Sequence, residues 1–316
     1  MRIIFFGSDD FAAEHLEKLL ASNHQVVACV TQPDRAKGRG LHVAESMIKE
    51  LAKTRAIPLF QPEAMKDAAF TNALKNLESD LFVVVAYGKI LPEEILSIPK
   101  IFCINVHGSL LPQYRGAAPI NWAIINGDAA TGVTVIKMNA GMDAGDIIAQ
   151  TRIAIGAELN SAELRSQMAK LGAGFLVKTV EDIREGTFKL SKQDLAKVSH
   201  APKLTKELGA IDWNLPAERI HNLIRGLQPW PGAYTTYVGT RHAVPLLLKI
   251  LASRVVAIDR QNHPAGQIVS MTPDGFVVVC GQDGLLVKRV HPESAKAMDA
   301  KSFVAGHKVT LDSRLV

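Results

Sequence analysis

At 316 residues, with 47% hydrophobic and 21% charged side chains, the chain has the composition of a soluble globular protein and the length of two domains. Its three cysteines, Cys29, Cys103 and Cys280, are too far apart in sequence for a Cys-x-x-Cys metal pair or a disulfide framework, which points to a reducing, cytoplasmic setting. No stretch approaches the roughly 20 apolar residues of a membrane span. The apolar opening Ile3–Phe6 is also too short for a signal peptide.

The first part of the chain alternates strand and helix signals. Residues 2–6 form an apolar run closed by Gly7, a buried strand and its turn. Residues 11–20 place Phe11, Leu16, Leu19 and Leu20 at helical spacing, and residues 25–31 are rich in β-branched side chains. Residues 46–56 read as a helix and 57–60 as a short strand. The continuous run 80–86 and the run 101–106 suit strands covered on both faces. Residues 132–138 and 147–155 add strands, and 161–185 reads as one long helix. Such alternation predicts an α/β fold with an open, mostly parallel, Rossmann-like sheet.

From about residue 190 the pattern changes. Residues 192–206 are polar and contain Pro202, as a linker would. Residues 217–227 predict an amphipathic helix. Beyond Pro229 come strand signals at 234–238, 246–251, 266–271, 275–280 and 285–290, with Asp274-Gly275 and Asp283-Gly284 as hairpin turns. Short strands at regular spacing predict a small β-barrel. The expected division is therefore 1–189, a linker 190–206, and 207–316. Charge follows the same division: residues 201–316 carry 14 Lys+Arg against 9 Asp+Glu, whereas residues 1–200 carry 22 of each. A basic domain beside a neutral one hints at a polyanionic partner.

The segment with the most chemistry is Asn105-Val106-His107, at the end of a predicted buried strand. Side chains alternate along a strand, so the amide and the imidazole share one face, about 6.5–7 Å apart. They sit at a strand C-terminus, where open α/β sheets bind ligands. An amide N–H can stabilise an oxyanion, and an imidazole can hold or pass a proton. On its own, Asn-x-His is better read as a turn cap and a satisfied loop histidine. Its surroundings favour the chemical reading. Ser109-Leu110-Leu111-Pro112, followed by Tyr114-Arg115-Gly116, forms a Gly- and Pro-bounded loop beside the pair. A glycine-punctuated acidic loop, Gly141-Met142-Asp143-Ala144-Gly145-Asp146, follows the next strand.

The ordered set N-V-H-G-S-L-L-P-Q-Y-R-G-A-A-P (105–119) and G-M-D-A-G-D (141–146) resembles the folate-dependent formyltransferases. The resemblance implies a catalytic trio of Asn105, His107 and Asp143, with Asp146 the competing carboxylate. It implies tetrahydrofolate contacts at Ser109, Leu110, Leu111 and Pro112, and a pterin pocket lined largely by the backbone of Val85, Ala86, Tyr87 and Gly88. The formyl donor would be 10-formyltetrahydrofolate, no metal is called for, and buried Cys103 would be structural.

Three features imply an aminoacyl-tRNA acceptor within that family, with the initiator methionyl-tRNA as partner and the α-amine of its methionine as acceptor. Residues 32–41, Q-P-D-R-A-K-G-R-G-L, form a basic, glycine-containing loop similar to the one such enzymes use on the acceptor stem, through Arg35, Lys37 and above all Arg39. The continuation Leu41-His42-Val43 departs from the lysine-rich sequence expected there. The segment 224–235, I-R-G-L-Q-P-W-P-G-A-Y-T, resembles the start of these enzymes' OB-like C-terminal barrel, and there Trp230 reads as a packing plug. The basic excess lies in that domain, with Lys203, Lys206, Arg219, Arg225, Lys288 and Arg289 as candidate phosphate contacts. An amino-sugar formyltransferase is the rival within the family, and a glycinamide-ribonucleotide enzyme would leave the second domain without a role. The Gly7-Ser8-Asp9-Asp10 turn lacks the GxGxxG of a dinucleotide-dependent dehydrogenase. A non-catalytic RNA-binding module would not need the trio. Nothing argues for a dimer, so a monomer is expected.

Overall fold

The structure, a computed structural model, describes all residues except 35, 38–41, 44, 239–244, 260–262 and 312, and the backbone but not the side chains of 36, 37, 42 and 43. The chain forms two compact units. One comprises residues 1–119, 130–153 and 165–201; the other comprises 120–129, 154–164 and 202–316.

The first unit begins β1 (Arg2–Gly7), α1 (Asp10–Leu20), β2 (Gln25–Val30), α2 (Met47–Thr54), β3 (Leu59–Phe60), α3 (Ala68–Asn76), β4 (Leu81–Val85) and β5 (Phe102–His107). It continues with β6 (Ala130–Lys137), β7 (Ile147–Ala154) and α4 (Ser161–Glu185), which reach into the second unit only at β7's last residue and α4's first turn. Among the described residues these strands form a seven-stranded sheet in the order β7-β6-β5-β4-β1-β2-β3. β1 pairs in parallel with β2 and β4, β2 with β3, and β4 with β5, while β6 runs antiparallel to β5. β1 and β4 are buried along nearly their whole length, which accounts for their unbroken apolar sequence. The chain builds outward from β1 through β2 to β3, then crosses to β4 on the other side. The topological switch point therefore lies between β1 and β4, and Gly7, Val85 and His107 end three adjacent parallel strands there.

α4 buries Leu164, Met168, Ala169, Ala173, Leu176, Val180 and Ile183, a stripe at i, i+3, i+4 spacing. The α1 N-terminus is capped by the Asp9 carboxylate, which accepts from the Ala12 amide, and Arg165 pairs with both Asp9 and Asp10. The amides that would cradle a dinucleotide pyrophosphate thus already face a carboxylate, which argues against a dehydrogenase.

The second unit contains α5 (Ala217–Gly226), β8 (Ala233–Val238), β9 (Leu246–Val256), β10 (Ile268–Thr272), β11 (Gly275–Val279), β12 (Gly284–Pro292), α6 (Ala300–His307) and β13 (Arg314–Leu315). Its antiparallel sheet has the order β10-β11-β12-β9-β8-β13. The two ends of that order meet: the Ile268 amide donates to the Ser313 carbonyl at 3.1 Å and the Leu315 amide to the Gly266 carbonyl at 2.8 Å. The sheet therefore closes as an OB-like barrel, which removes its free edges. Trp213, Ile220, Tyr237, Phe276, Val287 and Phe303 belong to its core.

Candidate active site

Asn105 and His107 lie on β5, two residues apart on the same face, opposite Ile136 and Thr134 of β6. Asn105 is half-buried and His107 is 6% exposed. His107 Nε2 lies 2.8 Å from the Tyr114 carbonyl oxygen. A carbonyl can only accept, so Nε2 carries the proton and donates. That makes Nδ1 the nitrogen that faces the carboxylate, 3.6 Å from Asp143 Oδ1. Asn105 Nδ2 donates to the same Oδ1 at 3.3 Å. One carboxylate oxygen thus faces both the amide and the imidazole.

Asp143 is held on its other side as well, because the Gly116 amide donates to Oδ2 at 2.9 Å. Its φ of 50° is left-handed, a conformation that costs a non-glycine residue about 1 kcal/mol, least for Asp and Asn. Nearby bonds enforce it. Gln193 Nε2 donates to the Asp143 and Gly145 carbonyls at 2.7 and 2.8 Å. The Lys137 amide donates to the Asp146 carbonyl at 2.9 Å. A Cβ on Gly145 would lie 1.8 Å from the Lys137 carbonyl oxygen, so only glycine lets this loop return to the end of β6. Among the described residues, Asp143 is the carboxylate paired with His107.

The loop after β5 is shaped from within. Ser109 is fully buried and its hydroxyl donates to the Gln113 carbonyl at 2.6 Å. Thr134 Oγ1, on β6, donates to the Ser109 carbonyl at 2.6 Å and accepts from the Leu111 amide at 3.1 Å. Gln150, on β7, donates to the Leu111 carbonyl at 2.9 Å. Leu111 is buried, whereas Leu110 and Pro112 are half-exposed, so the loop presents these two side chains and its backbone. Tyr114 has a φ of 61°, and Gly116, at φ 122°, would place a Cβ 2.7 Å from the Ala201 carbonyl oxygen. Thr134 and Gln150 were missed in the sequence. The available signal was a threonine in the apolar core of a strand.

The turn after β4 has a second surface. Tyr87 is 1% exposed, stacks edge-on against Phe6, and has its hydroxyl pushed up to about 12 by burial. Its carbonyl accepts from Ser8 Oγ at 3.2 Å and Gln32 Nε2 at 2.6 Å. With Tyr87 inward, Ala86 (φ 44°) and Gly88 (φ 77°) are exposed. The surface offered at the switch point is therefore largely backbone.

Arg35 and Arg39 fall outside the described residues, as does the Lys37 side chain. Lys37 itself lies in a two-residue strand paired with His42. In the second unit, Lys203, Lys206, Arg219, Lys288 and Arg289 are exposed, but Arg225 is not. Arg225 is 7% exposed and donates to the Gly156 and Leu159 carbonyls and to Asn222. It is a structural cation, because its position on α5 turns its side chain toward the carbonyls of the loop 156–159. Trp230 is 51% exposed rather than packed inside, whereas Trp213 of the same unit is 4% exposed and bonded to Thr235. Prolines on both sides of Trp230 keep it in a surface turn. Cys103 is buried with Sγ 3.5 Å from the Leu96 carbonyl, and burial pushes its thiol up.

A family model described as formyl transferase matches residues 1–180 of this chain, the part that holds this arrangement. The chain belongs to the formyl transferase family. The model of the formyl transferase C-terminal domain matches residues 203–308, where the closed barrel lies. Curated formyl transferases similar to it include the methionyl-tRNA formyltransferase of Caldanaerobacter subterraneus subsp. tengcongensis, 44% identical over 310 residues, 98% of each chain. That of Acetivibrio thermocellus is 42% identical over 309 residues, 98% of this chain and 97% of that one. Among solved structures, WlaRD, a sugar 3N-formyl transferase studied with dTDP and 5-N-formyl-THF, has a TM-score of 0.66 at 17% identity, over 94% of this chain and 99% of that one. An N-formyltransferase from Helicobacter canadensis, in complex with folinic acid and dTDP-3-aminofucose, has a TM-score of 0.66 at 18% identity, over 90% and 98%. At such identities the likeness to these sugar formyl transferases concerns the fold.

Proposed function

We propose that this chain transfers the formyl group of 10-formyltetrahydrofolate to the α-amine of methionine on the initiator methionyl-tRNA, with Asn105, His107 and Asp143 as its catalytic residues. The observation that carries the reading is the convergence of Asn105 Nδ2 and His107 Nδ1 on Asp143 Oδ1, at the C-terminal edge of the parallel strands. The folate supplies a formyl carbon already activated for acyl transfer.

The chain's own residues handle the charge and the proton. Attack by an amine puts negative charge on the formyl oxygen. Asn105 has two amide hydrogens; one holds Asp143 and the other is available to that oxyanion. His107 Nδ1 takes up a proton, while Nε2 stays bonded to Tyr114. Asp143 then faces the imidazolium at ion-pair distance and stabilises it, and a water ordered there carries the proton to the folate N10, so that the bond between the formyl carbon and N10 breaks and tetrahydrofolate leaves as the neutral amine. The backbone at Val85, Ala86, Tyr87 and Gly88 receives the pterin, and the loop Ser109, Leu110, Leu111 and Pro112 lies along the folate.

The tRNA is gripped through the basic residues Arg35, Lys37 and Arg39 and through a domain spanning 207–316, joined by 190–206 to a catalytic domain spanning 1–189. The protein works as a cytoplasmic monomer and needs no metal. The reading is supported by relatives that carry the same activity in their names over nearly their full length. It is tested by incubation with 10-formyltetrahydrofolate and charged initiator tRNA, with an amino-sugar nucleotide as competing acceptor. Formylmethionyl-tRNA is the expected product; formylation of the sugar alone would overturn the assignment.

A further inference from the structure

The polar segment 191–201 is bonded to the candidate site at several points. Ser191 exchanges two backbone bonds with Ile147, at 2.8 and 2.9 Å. Residues 200–201 pair in parallel with 115–116. Between these anchors, two side chains reach the backbone beneath the trio. Ser199 Oγ accepts from the Tyr114 amide at 2.9 Å, and Tyr114 is the residue whose carbonyl orients the His107 ring. The Gln193 amide nitrogen donates to the carbonyls of Asp143 and Gly145. Arg115 determines which way the Gln193 amide points: its Nε and a terminal nitrogen donate to Gln193 Oε1 at 3.0 and 2.7 Å. Guanidinium nitrogens cannot accept, so the amide oxygen must face Arg115 and the amide nitrogen must face the two carbonyls.

We infer that Gln193 is a positioning residue that, locked by Arg115, holds the left-handed Asp143 so that its carboxylate meets Asn105 and His107. This rests on the assignment of Asp143 to the catalytic trio. Two well-made bonds to the carbonyls of 143 and 145 offset the strain of φ 50° at Asp143 and fix where its side chain leaves the backbone. A displacement of about 1 Å in such a group costs about 10²-fold in rate.

The test separates geometry from mere stability. Gln193→Glu keeps the size and strengthens the contact to Arg115, but it turns a carboxylate oxygen toward two carbonyl oxygens. The variant is expected to stay folded, its melting temperature within a few degrees of wild type, because the gain at Arg115 offsets much of the loss at the two carbonyls. Its kcat should fall about 10- to 100-fold at neutral pH with KM for tRNA and folate within about 2-fold. Activity should partly return, relative to wild type, as the pH is lowered and the new carboxyl gains a proton it can donate. Gln193→Ala should lose kcat without any such acid recovery. Wild-type kcat in Gln193→Glu, or a loss that follows melting temperature in both variants with no pH component, overturns the inference. Asp143→Asn is run alongside. If it is inactive while Gln193→Glu is normal, only the role of Gln193 fails; if it is fully active, the catalytic assignment of Asp143 fails with it.

Discussion

His107 donates its Nε2 proton to the Tyr114 carbonyl at 2.8 Å, and this makes Nδ1 the nitrogen that faces Asp143. The imidazole is thereby oriented before any substrate arrives, at the end of β5, by a loop that is itself bonded to β6 and β7 through Thr134 and Gln150. Pre-orientation of this kind lowers the cost of reaching the reactive geometry.

The Asp143 loop should tolerate very little change at Gly145. A methyl group there would lie 1.8 Å from the Lys137 carbonyl oxygen, which belongs to a sheet strand and cannot give way. Gly145→Ala is therefore expected to push Asp143 off Asn105 and His107 and to lower kcat by about 10²-fold. Steady-state kinetics alongside a thermal melt would check this. A variant with near-normal kcat would show that the loop's path does not matter.

Stability should fall on acidification because of His15. It is fully buried on α1 with Nδ1 2.8 Å from the Phe11 carbonyl, so Nδ1 donates. Nε2 has no partner among the described residues. Burial, the largest cause, lowers its pKa to about 4, with Arg165 adding to the lowering and the Phe11 bond opposing it. The unfolded chain binds this proton near pH 6.5, so between about 6.5 and 4 it holds more protons than the folded chain. Stability is whole above that window and falls as pH drops through it, by at most about 3 kcal/mol from this group. Denaturant melts at pH 7 and pH 4.5 should show His15→Leu losing less stability than wild type; equal losses would remove His15 as the cause.

Two arginines should separate tRNA use from folding. Arg39→Ala is expected to raise KM for charged tRNA, and to lower the slope of log affinity against log salt by about one, with folate affinity unchanged. Arg225→Ala should leave that slope alone and destabilise the protein by about 2–3 kcal/mol, since it strips the Gly156 and Leu159 carbonyls of a charged donor. The opposite pattern would reverse these two roles.

Much of the fold was readable because long elements carry long patterns. The helix expected at 161–185 spans Ser161–Glu185, and the apolar run at 80–86 contains the strand Leu81–Val85. The helices Ala68–Asn76 and Ala300–His307 escaped notice because they are short and bury few residues. Their start signals, Asp67 and Asp299 as N-caps, become visible only once the helix is known. At the site, Asn105 and His107 were legible from alternation along one strand. Gln193 was not, since a glutamine 50 residues from Asp143 in a polar segment has no local pattern to mark it. Trp230 misled because large aromatics are usually buried, whereas two flanking prolines set its backbone independently of packing.

If the oriented imidazole and its carboxylate drive formyl transfer, removing the imidazole should stop the chemistry without unfolding the chain. The most direct measurement is the single-turnover rate of formylmethionyl-tRNA formation in His107→Ala, with both substrates saturating and folding verified by a thermal melt. The expected result is a fall of about 10²- to 10⁴-fold with the melting temperature lowered by only a few degrees. A folded variant that turns over at the wild-type rate would contradict it.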